Sequence, residues 1–241
     1  MSASYEKPEM AQRFSLQYRI QHLVLLLAVL TLIFTGAFLW FMGRPELFWW
    51  SQDFEGIDAI RVIHRIAASA LIAVSLYHTL FTIFTREGRR EFWLLLPRWK
   101  DVADVTQNSM YFLGLREERP KFGRYTYYEK FDYWAVYWGC VIMIGTGLVL
   151  WFDQLAASVA PWLPYRLAAE VHADEAVLAT LALFVWHFYN VHFNPKKFPG
   201  SLTWLHGKIP LGELKADHPL EYESMLQEKD EAESPETGKK H

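Results

Sequence analysis

IQHLVLLLAVLTLIFTGAFLWFM, Ile20–Met42, decides the class of this protein. The stretch carries no formal charge. At about 1.5 Å per helical residue it is long enough to cross a hydrocarbon core of roughly 30 Å. Three further stretches meet the same test: Ile66–Phe84, Tyr133–Phe152 and Ala176–Phe193, the second and fourth starting near Ala59 and Glu170 with a first turn in the headgroup region. No period-2 alternation competes, and a barrel needs more strands than four segments supply. The expected fold is all-α, an integral membrane four-helix bundle.

Composition fits that class. Hydrophobic residues make up 52% of the chain and aromatics 17%, yet the mean hydropathy is only +0.01. A polar tail and a charged central loop dilute the four apolar segments. Residues 1–220 are expected to form the transmembrane domain. Residues 221–241, rich in Glu, Asp, Ser and Lys, bury too little apolar surface to fold alone and are expected to stay disordered. The polar start, Met1–Ile20, with no small-residue cleavage site after it, argues that the first apolar run is not a signal peptide. A net charge of −3 and the lack of a Lys/Arg stripe give no sign of nucleic-acid binding. With Cys140 as the one cysteine, internal disulfides, Cys-rich zinc sites, iron–sulfur clusters and covalent c-type haem are all excluded.

Basic residues orient the bundle. The loops Gly43–Asp58 and Asp153–Ala169 hold one each, Arg44 and Arg166, whereas the central loop holds ten between Arg86 and Lys130, and Lys196, Lys197 and Lys208 follow span four. Both termini and the central loop are thus expected on the cytoplasmic side of a bacterial inner membrane. Trp49, Trp50, Trp151 and Trp162 would form an aromatic belt on the opposite side. Within the central loop, Phe92–Pro97 reads as an interfacial segment followed by a short amphipathic helix.

Six of the nine histidines lie in or at the ends of the spans: His22, His64, His78, His172, His187 and His192. Ionisable groups at membrane depth are costly and mark a path or a ligand, and neutral imidazole is the commonest transition-metal ligand. A single such histidine is as readily explained by a hydrogen bond to a neighbouring helix. The arrangement favours ligands. His64 and His78 are 14 residues apart, and His172 and His187 are 15 apart, both about 21–23 Å along a helix. Spans two and four run the same way, so His64 and His172 share one level, and His78 and His187 share another, which His22 joins. A pair on facing helices supplies both axial ligands of a haem iron, and two levels make a two-haem wire. Fourteen residues return to within about 40° of the starting direction, but 15 overshoot by about 60°, so span four needs a local bulge or tilt. His192, pointing about 200° from His172, reads as interfacial rather than as a ligand. Ala67, Ala68, Ser69 and Ala70, with Gly36, Gly139, Gly145 and Gly147, would admit a macrocycle or equally close helix packing. Arg61 and Arg65 flank His64, where they would pair with haem propionates or anchor the helix end.

These residues carry a family resemblance. R-I-Q-H at Arg19–His22, R-V-I-H at Arg61–His64, R-Y-T-Y-Y-E-K at Arg124–Lys130, His172 and His187, and H-P-L-E-Y at His218–Tyr222 follow in an order and spacing over residues 10–225. In this the chain resembles the cytochrome b (gamma) subunits of membrane-bound formate dehydrogenases and nickel–iron hydrogenases. The resemblance implies two haems b, the periplasmic one on His64 and His172 and the cytoplasmic one on His22 and His187, so it prefers His22 to His78. The family spaces its span-four histidines by 14 residues, against 15 here. His78 and His192, outside the usual pattern, leave room for a variant ligand set or a third haem. The resemblance also implies exchange with menaquinone or ubiquinone near Arg124–Lys130. There Thr126, Tyr128 and Glu129 replace the family's Asn, Gly and Gln. Glu129 would shuttle a proton, or else pair with Lys130 or a nearby Arg.

The expected function is electron transfer through two b-type haems between a periplasmic redox partner and the membrane quinone pool. The partner would be an iron–sulfur dehydrogenase or hydrogenase subunit, or a multihaem cytochrome c. Substrate chemistry would belong to that partner, with this chain the cytochrome b subunit of a quinone-linked oxidoreductase complex. Two rivals are a histidine-lined proton or metal transporter and a purely structural membrane anchor. A transporter is expected to carry intramembrane carboxylates or broken helices, and the four spans are expected to contain no Asp or Glu in their cores.

Overall fold

A computed structural model describes residues 9–43, 56–195, 198 and 200–233. Among these residues, four helices are long and apolar enough to cross a membrane: α1 (Leu16–Met42), α2 (Ile57–Phe84), α5 (Tyr127–Trp151) and a fourth that begins as α7 (Tyr165–Leu181). All start before the charge-free stretches do, because helical hydrogen bonding continues into the polar headgroup zone. The fourth does not stay α-helical. It passes into π-helical turns over Ala182–His187 and Tyr189–Phe193, with Phe188 N–H donating to the Leu183 carbonyl and Asn194 N–H to that of Tyr189. These helices turn apolar side chains outward: Phe34, Ile66, Phe84 and Val185 are each at least 65% exposed. Such a surface requires lipid around it. Small residues sit where helices meet, Ala28 on α1 and Ala67 on α2, letting backbones approach.

The chain divides into two compact units. One comprises Leu16–Arg86 and Trp134–Ser201, and so contains α1, α2, most of α5, the short α6 (Asp153–Val159) and the whole fourth span. In place of a bare loop between the third and fourth spans, α6 and a turn at Ala160–Leu163 lead into α7.

The other unit comprises the N-terminal residues up to Ser15, Glu87–Tyr133 and the segment from Leu202 onward. Its helices are α3 (Arg86–Leu95) and α4 (Trp99–Phe112), the two pieces of the expected interfacial and amphipathic region, followed by α8 (Thr203–His206), α9 (Leu211–Asp217) and α10 (Pro219–Glu233). A two-stranded antiparallel ribbon, β1 (Met10–Gln12) with β2 (Lys208–Pro210), pairs Ala11 with Ile209. Gly207, at φ 78°, closes α8 in the left-handed region that glycine tolerates. Its carbonyl accepts the N–H groups of Arg13 and Phe14. Ala11, Ile209 and Leu214 form a small core against which Leu211, Tyr222 and Met225 pack.

The acidic tail departs from expectation. It is helical from Pro219 to Glu233, because Tyr222 and Met225 reach that core and Glu221 is bound by Arg13 and Arg124. Arg44, Trp49, Trp50, Lys196 and Lys197 lie outside the described residues.

Candidate functional site

The imidazoles of His64 on α2 and His172 on α7 face each other, ring centres 6.5 Å apart and planes at 68°. Each is held by a threonine on a neighbouring span. Thr35 on α1 donates its hydroxyl proton to the Thr31 carbonyl at 2.6 Å, and Thr146 on α5 donates to the Ile142 carbonyl at 2.7 Å. With that proton committed, each hydroxyl oxygen accepts from a histidine Nδ1–H at 2.8 Å, Thr35 from His64 and Thr146 from His172. Nδ1 is therefore the protonated nitrogen, and Nε2 keeps its lone pair. A glycine follows each threonine. A Cβ on Gly36 would lie 3.4 Å from His64 Cε1, and one on Gly147 would lie 3.3 Å from His172 Cε1. Two Thr-Gly pairs, on spans one and three, thus support two histidines on spans two and four. The sequence reading singled out the glycines for space and missed the threonines. A hydroxyl in an apolar helix usually bonds its own i−4 carbonyl and nothing more.

This geometry can be tested against a metal between the rings. Metal–nitrogen bonds of about 2 Å to each imidazole put the two ring centres roughly 6–6.5 Å apart, the spacing seen here. The remaining ring N–H of a ligating histidine is regularly bonded to a second group that fixes its tautomer, as Thr35 and Thr146 do. Among the described residues no three His, Cys, Asp or Glu side chains gather as a metal cluster. The pair suits an ion whose other ligands come from a macrocycle.

The other level is built differently. His22 on α1 and His187 in the π-helical part of span four lie within electrostatic reach of each other. His78 on α2 donates Nδ1–H to Gln21 Oε1 on α1 at 2.7 Å, with Tyr18 edge-on to its ring. That is a helix–helix hydrogen bond of the ordinary intramembrane kind. An i→i+5 turn takes one residue more than an α-turn to come round. The π-helical stretch between His172 and His187 therefore absorbs one residue of their 15-residue separation, bringing His187 back towards the azimuth of a 14-residue spacing. His192 stacks on Phe188 with ring centres 4.6 Å apart, and a Cβ on Gly200 would collide with its Nδ1 at 2.5 Å. It is packed against the chain that follows the span.

The remaining predicted residues have other partners. Arg61 pairs with Asp58 at 2.9 Å in an exposed salt bridge, of a kind that contributes little. Arg65 stacks on Trp151. In the charged unit, Thr126 is fully buried and forms a capping box at the start of α5: its N–H and hydroxyl donate to Glu129 Oε2 at 2.8 and 2.9 Å, and Glu129 N–H donates back to Thr126 Oγ1. Lys130 pairs with Asp101, not with Glu129. The other Glu129 oxygen is 3.9 Å from both Arg13 Nη2 and His218 Nε2.

Around it lies a buried network that the motif spelling did not reveal. Arg13 binds Glu221 and the Arg124 carbonyl. Arg124 binds Glu221 and Glu91 at 2.7 Å each, and the Tyr125 hydroxyl donates to Glu91 at 2.6 Å. Burial and the Glu91 carboxylate push the Tyr125 phenol well above its usual range. Burial alone would disfavour the Arg124 cation, but Tyr125, Glu91 and Glu221 outweigh it and hold the guanidinium protonated. His218 donates Nδ1–H to the Gly123 carbonyl at 2.8 Å and accepts at Nε2 from Arg13 at 3.1 Å. Burial, then the Arg13 cation, hold its pKa below the ordinary 6.5, against the opposing pull of Glu129.

The fourth helix starts at Tyr165, so Glu170, Asp174 and Glu175 belong to it, and Glu175 reaches the middle of α5 beside Gly139. The start expected near Glu170 already includes these residues, but as a first turn outside the span's core, whereas the helix begins five residues earlier.

Four lipid-facing helices with facing, hydroxyl-braced histidines define a membrane protein suited to binding a metal macrocycle. Residues 3–97, which include α1, α2 and α3 with His22, His64 and His78, match the family model of prokaryotic cytochrome b561. No curated protein matches the chain.

Proposed function

We propose that this chain is the membrane subunit of a redox complex and carries electrons through two b-type haems between a periplasmic partner and the quinone pool. The carrying observation is the His64–His172 pair, 6.5 Å between ring centres with both Nδ1 atoms bonded to threonine. His64 and His172 would hold the periplasmic-side haem through Nε2. His22 and His187 would hold the cytoplasmic-side haem, which the π-helical turns before His187 support. Bound there, haem b supplies a reversible one-electron iron couple. Two histidine ligands per iron leave no position for oxygen.

The protein's own part is to fix the ligands, exclude water and hold the levels about 21–23 Å apart along the helices. Thr35 and Thr146 keep the ring tautomers that present Nε2. The apolar spans keep solvent from the path. The excess of basic residues in the central loop supports a cytoplasmic location for both termini. Quinone exchange is assigned to the cytoplasmic side near Arg124–Lys130. Thr126 is spent on the capping box, so Glu129 Oε1 is the polar atom left to serve it. The partner is an iron–sulfur or multihaem redox protein on the opposite face.

An optical spectrum of the purified protein tests this reading. A reducible b-type band with two haems per chain is expected. Its absence sinks the reading in favour of a transporter or a structural anchor.

A further inference from the structure

Helix α4 (Trp99–Phe112) is amphipathic in the reverse of the usual sense. A helix on a water-facing surface turns its apolar face inward and its polar face out. Here the polar face is the one that packs. Asp104 is buried and accepts from Lys100 at 2.6 Å, Asp101 accepts from Lys130 at 2.8 Å, and Asn108 donates to the Tyr127 hydroxyl at 2.9 Å. Positions 101, 104 and 108 recur at the three- and four-residue spacing of one helix face. Positions 99, 102, 106, 110 and, just past the last turn, 113 recur on the opposite face. They hold Trp, Val, Thr, Met and Leu, all exposed. Trp99 is 90% exposed, Val102 58% and Leu113 73%. Hydroxyls on that outward side are spent on their own helix: Thr106 donates to the Val102 carbonyl at 2.9 Å and Ser109 to that of Val105 at 2.8 Å. The outward face is thus apolar even where its residues carry hydroxyls.

What covers such a face is set by the residues that its polar side holds. Tyr127 and Lys130 belong to the first turn of α5 (Tyr127–Trp151), an unbroken helix long and apolar enough to cross a membrane. They stand six and three residues before Tyr133, where the charge-free stretch begins. Along the helix axis that is about 9 and 4.5 Å from the hydrocarbon edge. The headgroup zone is itself roughly 5–7 Å deep on each side of a bilayer. The polar face of α4 is therefore clamped to the part of α5 that passes through the headgroups. At that depth lipid, not water, is the first neighbour its other face meets. The ends of the stripe carry residues that favour this depth. Trp99 opens it, exposed Arg98 and Arg116 flank it, and Arg119 stacks on Tyr111 at 4.7 Å. Indole rings sit at the headgroup level, and arginine stems lie on apolar surface while their cations reach phosphate.

We propose that α4 is an in-plane membrane helix, its apolar stripe sunk into the leaflet at which α5 enters and its polar face locked to the protein. The ligand is a phospholipid surface, with acyl chains against Trp99, Val102, Met110 and Leu113 and phosphates at Arg98 and Arg116. The charged unit is thereby seated on the membrane, whatever number of haems the spans hold.

Spin labelling of the full chain in nanodiscs of phosphatidylethanolamine and phosphatidylglycerol tests this. In a Cys140→Ser background, single cysteines replace Val102, Thr106, Met110 and Leu113 on the stripe and Glu117 beyond the helix. Each label's collisions with oxygen and with a water-soluble nickel chelate are compared. Labels on the stripe should meet oxygen several-fold more than nickel, and the ratio should reverse at Glu117. If Cys140→Ser does not fold, the same cysteines are read against labelled wild type. A stripe that favours nickel as Glu117 does lies in water, which overturns the proposal. Labels immobilised and shielded from both reagents mean that protein covers the face, a second copy or another part of this chain, and overturn it as well.

Discussion

His172 in the spanning unit and His218 in the charged unit make a useful contrast. Each donates Nδ1–H to a fixed oxygen, that of Thr146 or that of the Gly123 carbonyl. They differ at the other nitrogen. His218 Nε2 accepts from Arg13, inside a network of two arginines and three glutamates. His172 has the His64 ring beside it, centre to centre 6.5 Å. The first histidine has both nitrogens satisfied by protein and serves as a strut. The second is oriented by one nitrogen and offers the other.

The largest expected effects sharpen the contrast within the spans. His187→Ala and His22→Ala should each abolish the same one of two haems, counted on the purified protein. His78→Ala should keep both, because the proposed ligand set pairs His187 with His22. If His78→Ala costs a haem and His22→Ala does not, His78 belongs with the ligands. Next in size is the bracing. Thr35→Val and Thr146→Val remove the Nδ1 acceptor without changing shape much, and should weaken haem retention about 10–100-fold. Thr→Ser at either position should restore it. Equal retention in the valine variants would mean that the hydroxyls only bond their own helices.

The smallest effect concerns the strut. Burial and Arg13 depress the His218 pKa, so the folded state binds fewer protons there than the unfolded one. Its contribution to stability is then full above the unfolded value of 6.5 and is lost as pH falls through the lower folded value. His218→Gln should remove that acid-side loss, read as denaturant midpoints against pH. An unchanged profile would show that another group carries the dependence.

Much of this was legible in the residues, and the gaps have physical causes. Charge-free runs reveal spans because nothing else keeps so many residues apolar. Matched histidine depths follow from the rise of a helix. The 15-residue spacing of His172 and His187 announced a distortion in span four, and π-helical turns occur there. Thr35 and Thr146 were invisible because sequence does not say whether a helical hydroxyl also faces a neighbouring ring. Glu175, inside a span expected to start near Glu170, was placed in the headgroup turn because sequence does not show that it lies beside Gly139. The helix Pro219–Glu233 was missed because its order comes from distant residues, Arg13 and Arg124, which bind Glu221. Thr126 and Glu129 spell a capping box as plainly as a ligand site, and in this fold the box is formed.

The central claim is that His64 and His172 hold one and the same haem, and a haem count on three variants tests it most directly. His64→Ala, His172→Ala and the double variant are each predicted to retain one haem of two, with identical spectra of what remains. Loss of different haems in the two single variants, or a further loss in the double, would contradict the pairing.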